Sequence, residues 1–287
     1  MIVIFLKIKF LYNTFTYATG GIMDVTNKIA LITGAASGIG EGIATTLARH
    51  GAHAIIADIN INNAEEVSNQ LTSLGLKSSA IGLDVTKIES VDRCVQYALE
   101  NFGHIDILVN NAGTVGSSGW ESREIPNEND WDLIFEVNVK GIVKMTEAVQ
   151  ASMINNNYGK IINIASIAGR QGSERNPPYN VSKASVINLT QSQSMQLAKY
   201  NINVNAICPG LLWTPIWERI GNRRTMSPNP EEVDAKQLFL DYVAEKIPLG
   251  RPQVPEDIGN LACFLASDYS SNITGQSINV SGGYFMN

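Results

Sequence analysis

Cysteine, histidine and clustered basic residues are scarce in this chain, and each scarcity removes a class of function. Three cysteines among 287 residues, Cys94, Cys208 and Cys263, are odd in number and far apart. That excludes a disulfide framework or a CxxC metal knuckle and fits reduced thiols in a cytoplasmic protein. His50, His53 and His104 lack a third ligand at sensible spacing, so no metal site is expected. Lys and Arg number 21 against 27 Asp and Glu, a net charge of −6. Nucleic acid is therefore excluded as a broad partner, because phosphate contacts need clustered cations. No apolar run is long enough to span a bilayer, so a membrane is not expected either. At 44% hydrophobic residues, with an ordinary 24 Gly and 10 Pro, the chain is too apolar to be disordered.

The first 22 residues, MIVIFLKIKFLYNTFTYATGGI, stand apart. As a signal peptide they have their charges, Lys7 and Lys9, inside the apolar stretch, and no A-x-A site follows. Gly20-Gly21-Ile22-Met23 can be encoded by GGA GGA ATT ATG, a purine-rich ribosome-binding sequence before an ATG. The expectation is that translation starts at Met23, that 1–22 is an upstream extension of the reading frame, and that 23–287 is one domain.

From Lys28 onward, β-rich runs alternate with helical spacing. The runs are Ile29–Thr33, Ala54–Ala57, Ser79–Leu83, Ile105–Val109, Lys160–Ala165, Asn203–Ile207 and Ser277–Val280. Between most of them lie helical stretches, among them Gly38–His50, Asn63–Leu74, Ile88–Phe102, Trp131–Ile154 and Tyr179–Tyr200. Continuous apolar strands separated by helices predict an α/β doubly wound fold, a parallel seven-stranded sheet with helices on both faces. One stretch breaks the alternation: 211–247, rich in Trp, Pro, Arg and Asn, reads as an irregular substrate-binding loop.

Thr33-Gly34-Ala35-Ala36-Ser37-Gly38-Ile39-Gly40 follows the first strand and opens a helix. Glycines let a backbone turn sharply and approach a pyrophosphate, and the helix N-terminus offers free N–H groups. The G-x-x-x-G-x-G spacing also suits a structural tight turn, so it needs support. Asp58, 18 residues past Gly40 at the end of the next strand, supplies it. An acid there accepts hydrogen bonds from the adenosine ribose and repels a 2′-phosphate, which favours NAD over NADP. Its competing reading is a helix cap or turn former, a role Asn60, Asn62 and Asn63 fill equally well.

Tyr179 and Lys183 are four apart on one helix face. An ammonium ~4 Å from a phenol at an effective dielectric of ~20 would favour the phenolate by about 4 kcal/mol, roughly three pKa units. That brings the phenol toward the range of a useful acid or base. Tyr242 and Lys246 have the same spacing, so the pair alone decides nothing. Ser166 decides it. It lies 13 residues before Tyr179 at a strand end, whereas the residue 13 before Tyr242 is Asn229, inside the irregular loop.

With TGAASGIG at 33–40, NNAG at Asn110–Gly113, Ser166, Tyr179-x-x-x-Lys183 and Cys208-Pro209-Gly210, the chain resembles the short-chain dehydrogenase/reductase family over nearly all of 23–287. The resemblance implies a Rossmann-fold oxidoreductase and a homotetramer. It makes Tyr179 the proton donor and acceptor and Ser166 the group that orients the substrate oxygen. Lys183 would lower the phenol pKa and bind the nicotinamide ribose, and Asn138 would hold a water in a proton relay. From the residues alone, Asn138 reads as a polar break in a helix. Cofactor contacts carried over are Gly34, Ser37, Gly38, Ile39, Gly40, Asp58, Asp84, Val85, Asn111, Pro209, Gly210, Leu212 and Thr214.

The family does not fix the substrate. Trp120, Glu121, Glu174, Arg175, Trp213, Trp217 and Arg219 are candidate pocket residues. Mixed charge beside aromatics suits a sugar, polyol or hydroxyketone, although most could equally be solvated loop residues. A 3-oxoacyl-thioester or hydroxysteroid reductase is the alternative. A dinucleotide-sensing regulator without catalysis is a third reading, against which the intact Ser166, Tyr179, Lys183 and Asn138 argue.

Overall fold

Runs of Ile, Val and Ala that leave no polar face become strands buried on both sides. The computed structural model describes residues 23–225 and 234–286. The expected extension at 1–22 and part of the 211–247 segment lie outside them. The strands are β1 (Ile29–Thr33), β2 (His53–Asp58), β3 (Ser78–Gly82), β4 (Ile107–Asn110), β5 (Gly159–Ile164), β6 (Ile202–Pro209) and β7 (Ser277–Val280). All pair in parallel, in the order β3-β2-β1-β4-β5-β6-β7. The order reverses between β1 and β4, and a crevice opens there at the strands' carboxyl ends.

Strand alternation divides the core. Ala30, Ile32, Ile56, Val109, Ile162 and Ile207 face one side with α1 (Gly38–Arg49) and α9 (Pro255–Ala266). Leu31, Ile55, Leu108, Ile161 and Val204 face the other with α3 (Ile88–Phe102) and α5 (Gly141–Asn156). Also present are α2 (Ile61–Ser73), α4 (Glu128–Phe135), α6 (Pro177–Leu197), α7 (Pro215–Thr225) and α8 (Ala235–Lys246).

Three departures from the sequence reading have identifiable causes. First, the helix expected over Trp131–Ile154 begins earlier, at Glu128, because Asn127 and Asp130 form a reciprocal capping box. A π-turn at Glu136–Lys140 interrupts it, and Asn138, read as a polar break, sits in that turn. Second, the described parts of 211–247 are not irregular. Thr214 and Pro215 open α7, and Asp234 caps α8 by accepting the Lys236 N–H. The helical stripe Phe239, Val243 and Ile247 packs with Leu211 as a core of its own. Third, α9 carried ordinary start signals, Pro255 with Glu256 and Asp257 in the first turn, within a segment otherwise short of periodic landmarks.

Candidate active site

The glycine loop joins β1 to α1 at the crevice. Gly34 and Gly38 have φ of +64° and +59°, backbone that side chains resist. A Cβ on Gly40 would stand 2.3 Å from the Gly34 carbonyl oxygen. Asn111 holds the loop from the neighbouring strand, its Nδ2 donating to the Thr33 and Gly34 carbonyls at 3.0 and 2.8 Å. Asp58 braces it from the other side by accepting the Ala36 N–H at 3.0 Å and the Asn60 N–H at 2.9 Å. Ser37 precedes α1 without a side-chain cap, so the first-turn N–H groups remain available to an anion. Gly40→Ala is expected to weaken dinucleotide binding by about tenfold or more through distortion of this turn; fluorescence titration checks it.

An elongated cavity of about 660 Å³ runs from this loop across the sheet end. Gly34, Ser37, Gly38, Ile39, Asp58, Asp84, Val85, Asn111, Pro209, Gly210, Leu212 and Thr214 all line it, with Ser166, Tyr179 and Lys183 near its middle. Its length, the glycine turn and the uncapped helix fit a dinucleotide. Gly40 and Asn138 lie behind the wall instead. Gly40 serves the loop's shape, and Asn138 is fully buried. Asn138 Nδ2 donates to the Thr114 carbonyl and the Ser182 hydroxyl, and its Oδ1 accepts the Thr114 N–H. Asp84 is held by Thr86 and Lys87; these bonds outweigh burial and keep its carboxyl below the usual range.

Ser166 leaves β5 in extended backbone, its hydroxyl accepts the Ala168 N–H at 3.0 Å, and it lines the cavity together with Tyr179. Tyr179 and Lys183 project from the first turns of α6. Lys183 Nζ lies 5.8 Å from the phenol ring centre and donates to the Ile164 carbonyl at 2.7 Å. The expected downward pull of Lys183 on the phenol is not what this arrangement shows. Burial pushes Tyr179 up to about 12 against the opposing Ser166 hydrogen bond, and burial pulls Lys183 down to about 8. Loss of solvation for each charged form outweighs an attraction acting over that separation. In this state the phenol is a proton donor at neutral pH. The Tyr242–Lys246 pair separates cleanly from it: Tyr242 Oη meets Tyr284 Oη at 2.9 Å, and Lys246 turns outward to Glu245.

Beyond Tyr179 the cavity widens between α7, α8 and the Arg170–Pro178 turn. Of the candidate pocket residues, Trp120, Arg175 and Trp217 line it. Glu121 and Arg219 pair with each other beside it, and Trp213 packs edge-on to Phe239. Glu174 is exposed and forms no part of the wall. Sequence reasoning missed Ile216, Ile220, Arg223, Tyr242 and Tyr284, which also line this end. Arg223 was legible as the residue one helical turn after Arg219, once α7 was known to be a helix.

The loop carrying Trp120 is fixed by a buried carboxylate. Asp130, with no exposed surface, accepts from Ser117 N and Oγ, Arg123 Nε and Nη2, and Asn127 N at 2.7 to 3.1 Å. The Arg123 bonds and the others outweigh burial and hold its carboxyl well below the usual range.

Comparison with known proteins adds to this geometry. A family model described as enoyl-(acyl carrier protein) reductase matches residues 34–285. Galactitol 2-dehydrogenase of Agrobacterium fabrum is 41% identical over 265 residues, 92% of this chain and 100% of that protein. Sorbitol dehydrogenase of Cereibacter sphaeroides is 40% identical over 265 residues, with the same coverage of 92% and 100%. The crystal structure of a short-chain type dehydrogenase/reductase from Mycobacterium marinum superposes with a TM-score of 0.80 at 30% identity, covering 94% of this chain and 100% of that one. A seven-stranded sheet with its glycine loop at the order reversal, and Ser166, Tyr179 and Lys183 gathered on one cavity, agree with these matches: the chain is an oxidoreductase of the short-chain dehydrogenase/reductase family.

Proposed function

We propose that the enzyme uses NAD to interconvert a secondary alcohol and a ketone on a small, polar, hydroxylated substrate such as a sugar, polyol or hydroxyketone. The observation that carries the substrate reading is the wall beyond Tyr179. There Trp217, Tyr242 and Tyr284 supply aromatic faces, and Gln171, Ser173 and Asn176 supply hydroxyl and amide groups. Such a surface matches the alternating C–H and O–H faces of a polyol. The galactitol and sorbitol dehydrogenases among its relatives support it.

The nicotinamide dinucleotide, when bound, supplies the hydride donor and acceptor. Ser166 holds the substrate oxygen toward the Tyr179 phenol, which gives its proton to a forming alcohol. Lys183 keeps a positive charge behind the phenol and binds the cofactor's ribose. Asn138 Oδ1 and Lys183 Nζ both face the space over Gly113, 3.4 and 3.7 Å from where a Cβ there would stand. A water in that space would link Lys183 to Asn138 as a proton relay. A soluble, cytoplasmic homotetramer completes the proposal. The apolar residues Leu211, Ile216 and Ile220 at the same end favour a second reading, reduction of a 3-oxoacyl thioester.

NAD specificity rests on Asp58, whose carboxylate two backbone N–H groups fix at the cavity's far end. A 2′-phosphate there would meet a like charge. The test is kcat/KM for NAD and NADP across polyols, sugars and 3-oxoacyl thioesters. NAD is expected to be preferred, and Asp58→Ser should reduce that preference by about tenfold or more. An NADP preference in the unaltered enzyme would overturn the role of Asp58. Turnover of thioesters alone would replace the polyol reading.

A further inference from the structure

Four arginines converge where the cavity widens, and their charges are not treated alike. Arg123 is neutralised by Asp130 at 2.7 Å, and Arg219 by Glu121. Arg223 lies over the Trp120 ring, 4.4 Å from its centre. Among the described residues its guanidinium donates only to backbone carbonyls: those of Arg123 at 2.9 Å, Arg175 at 2.8 Å and Glu124 at 2.7 Å. Neutral acceptors fix its position and leave its charge standing. Arg175 lines the same cavity; the Ser173 hydroxyl accepts its backbone N–H. Among the described residues its guanidinium has neither a hydrogen bond nor an ion pair. Arg223 is held below its ordinary pKa chiefly by burial, and the Arg123 and Arg175 charges add to that against the opposing pull of Asp130.

The carboxylates on the cavity wall are elsewhere. Asp58 and Asp84 are the acidic residues among those lining it, and both lie at the glycine-loop end. The described wall is thus negative where the adenosine would lie and positive beyond Tyr179. The cofactor's own phosphates do not account for that positive end, because they belong at the α1 N-terminus. Two guanidiniums with no carboxylate between them repel, and an anion placed against them relieves the repulsion while gaining charge-assisted hydrogen bonds.

We infer that the substrate is a polyol or hydroxy acid carrying an anionic group, a carboxylate or a phosphate, which Arg175 binds with the fixed charge of Arg223 behind it. This rests on the polar-alcohol reading of the site. The anion would anchor one end of a short hydroxylated chain and leave a CH–OH several atoms away to meet Ser166 and Tyr179. Charge on the Arg170–Pro178 turn then sets which hydroxyl is oxidised.

The test is calorimetric titration of the full-length NADH complex with sorbitol, sorbitol 6-phosphate and gluconate. At least one anion should bind about tenfold more tightly than sorbitol, with an affinity that falls as salt rises. Arg175→Gln should collapse the ratio of anion to sorbitol affinity toward one, and Arg175→Lys should retain part of it. The proposal is overturned if neither anion binds more tightly than sorbitol. It is equally overturned if Arg175→Gln weakens the neutral and charged ligands alike. Turnover of the same three compounds with NAD separates this inference from the reading beneath it. Oxidation of sorbitol without tighter anion binding removes the anion site and keeps the polar alcohol. Anion binding lost in Arg175→Gln, with none of the three oxidised, keeps the anion site and counts against the polar alcohol.

Discussion

Tyr179→Phe is expected to lower kcat by about a thousandfold while the reduced nicotinamide cofactor still binds, as followed by cofactor fluorescence. Phe keeps the ring and removes only the hydroxyl that shares the cavity wall with Ser166. General acid–base catalysis contributes about 10²–10⁴-fold, and among the described residues lining the middle of the cavity no other side chain is as well placed to give the substrate oxygen a proton. A kcat within about tenfold of the unaltered enzyme would remove Tyr179 from the mechanism. The pH profile carries a second signature. Lys183, brought down to about 8 by burial, is an ammonium at pH 7 and loses its proton as pH rises through 8. Its attraction for a developing phenolate goes with it, so ketone reduction should fall above pH 8 even though Tyr179, near 12, remains protonated.

Asp130→Ala should produce the largest loss of stability of any substitution near the substrate end. The side chain has no exposed surface and accepts bonds from Ser117, Arg123 and Asn127. Removing one partner of a buried ion pair costs about 3–5 kcal/mol; Arg123, a quarter exposed, places this case near the lower value. For a domain of this size that is a fall in Tm of roughly 6–12 °C. The sign of the pH dependence follows from the depressed carboxyl. Its stabilisation is fully present above the unfolded-state value of about 3.9 and is lost as pH falls through the folded-state value. The gap between variant and unaltered protein should therefore persist across neutral pH and narrow only in strong acid. A Tm within about 2 °C of the unaltered protein at pH 7 would show the network to be dispensable.

The sheet was legible because its strands are short, mostly apolar and separated by helices of ordinary length. Observed limits fall within two residues of those expected. Ser166, Tyr179 and Lys183 were legible through spacing that a second tyrosine–lysine pair did not share. The substrate end was not, for two physical reasons. Its helices α7 and α8 have polar, aromatic surfaces whose apolar stripe is completed only by packing Phe239 against Trp213 and Trp217. Its charges also acquire meaning only in pairs, and no periodicity shows that Arg219 has a carboxylate partner while Arg175 has none among the described residues. The same limit applies to the phenol. Spacing placed the ammonium near it, but burial, which sequence does not display, decided the direction of its shift.

The π-turn at Glu136–Lys140 has a consequence for how this chain tolerates insertion and deletion. A π-turn holds one residue more than the α-helical turn it replaces, so the segments on either side are out of phase by about 100° relative to a continuous helix. Loss of a single residue between Glu136 and Lys140 would restore an unbroken helix with better backbone hydrogen bonding. It would also rotate the Asp130 end against the α5 end and carry Asn138 off Thr114 and Ser182. Length at this point is constrained as tightly as residue identity is at Ser166 or Tyr179, and a change that improves the local helix would dismantle the site.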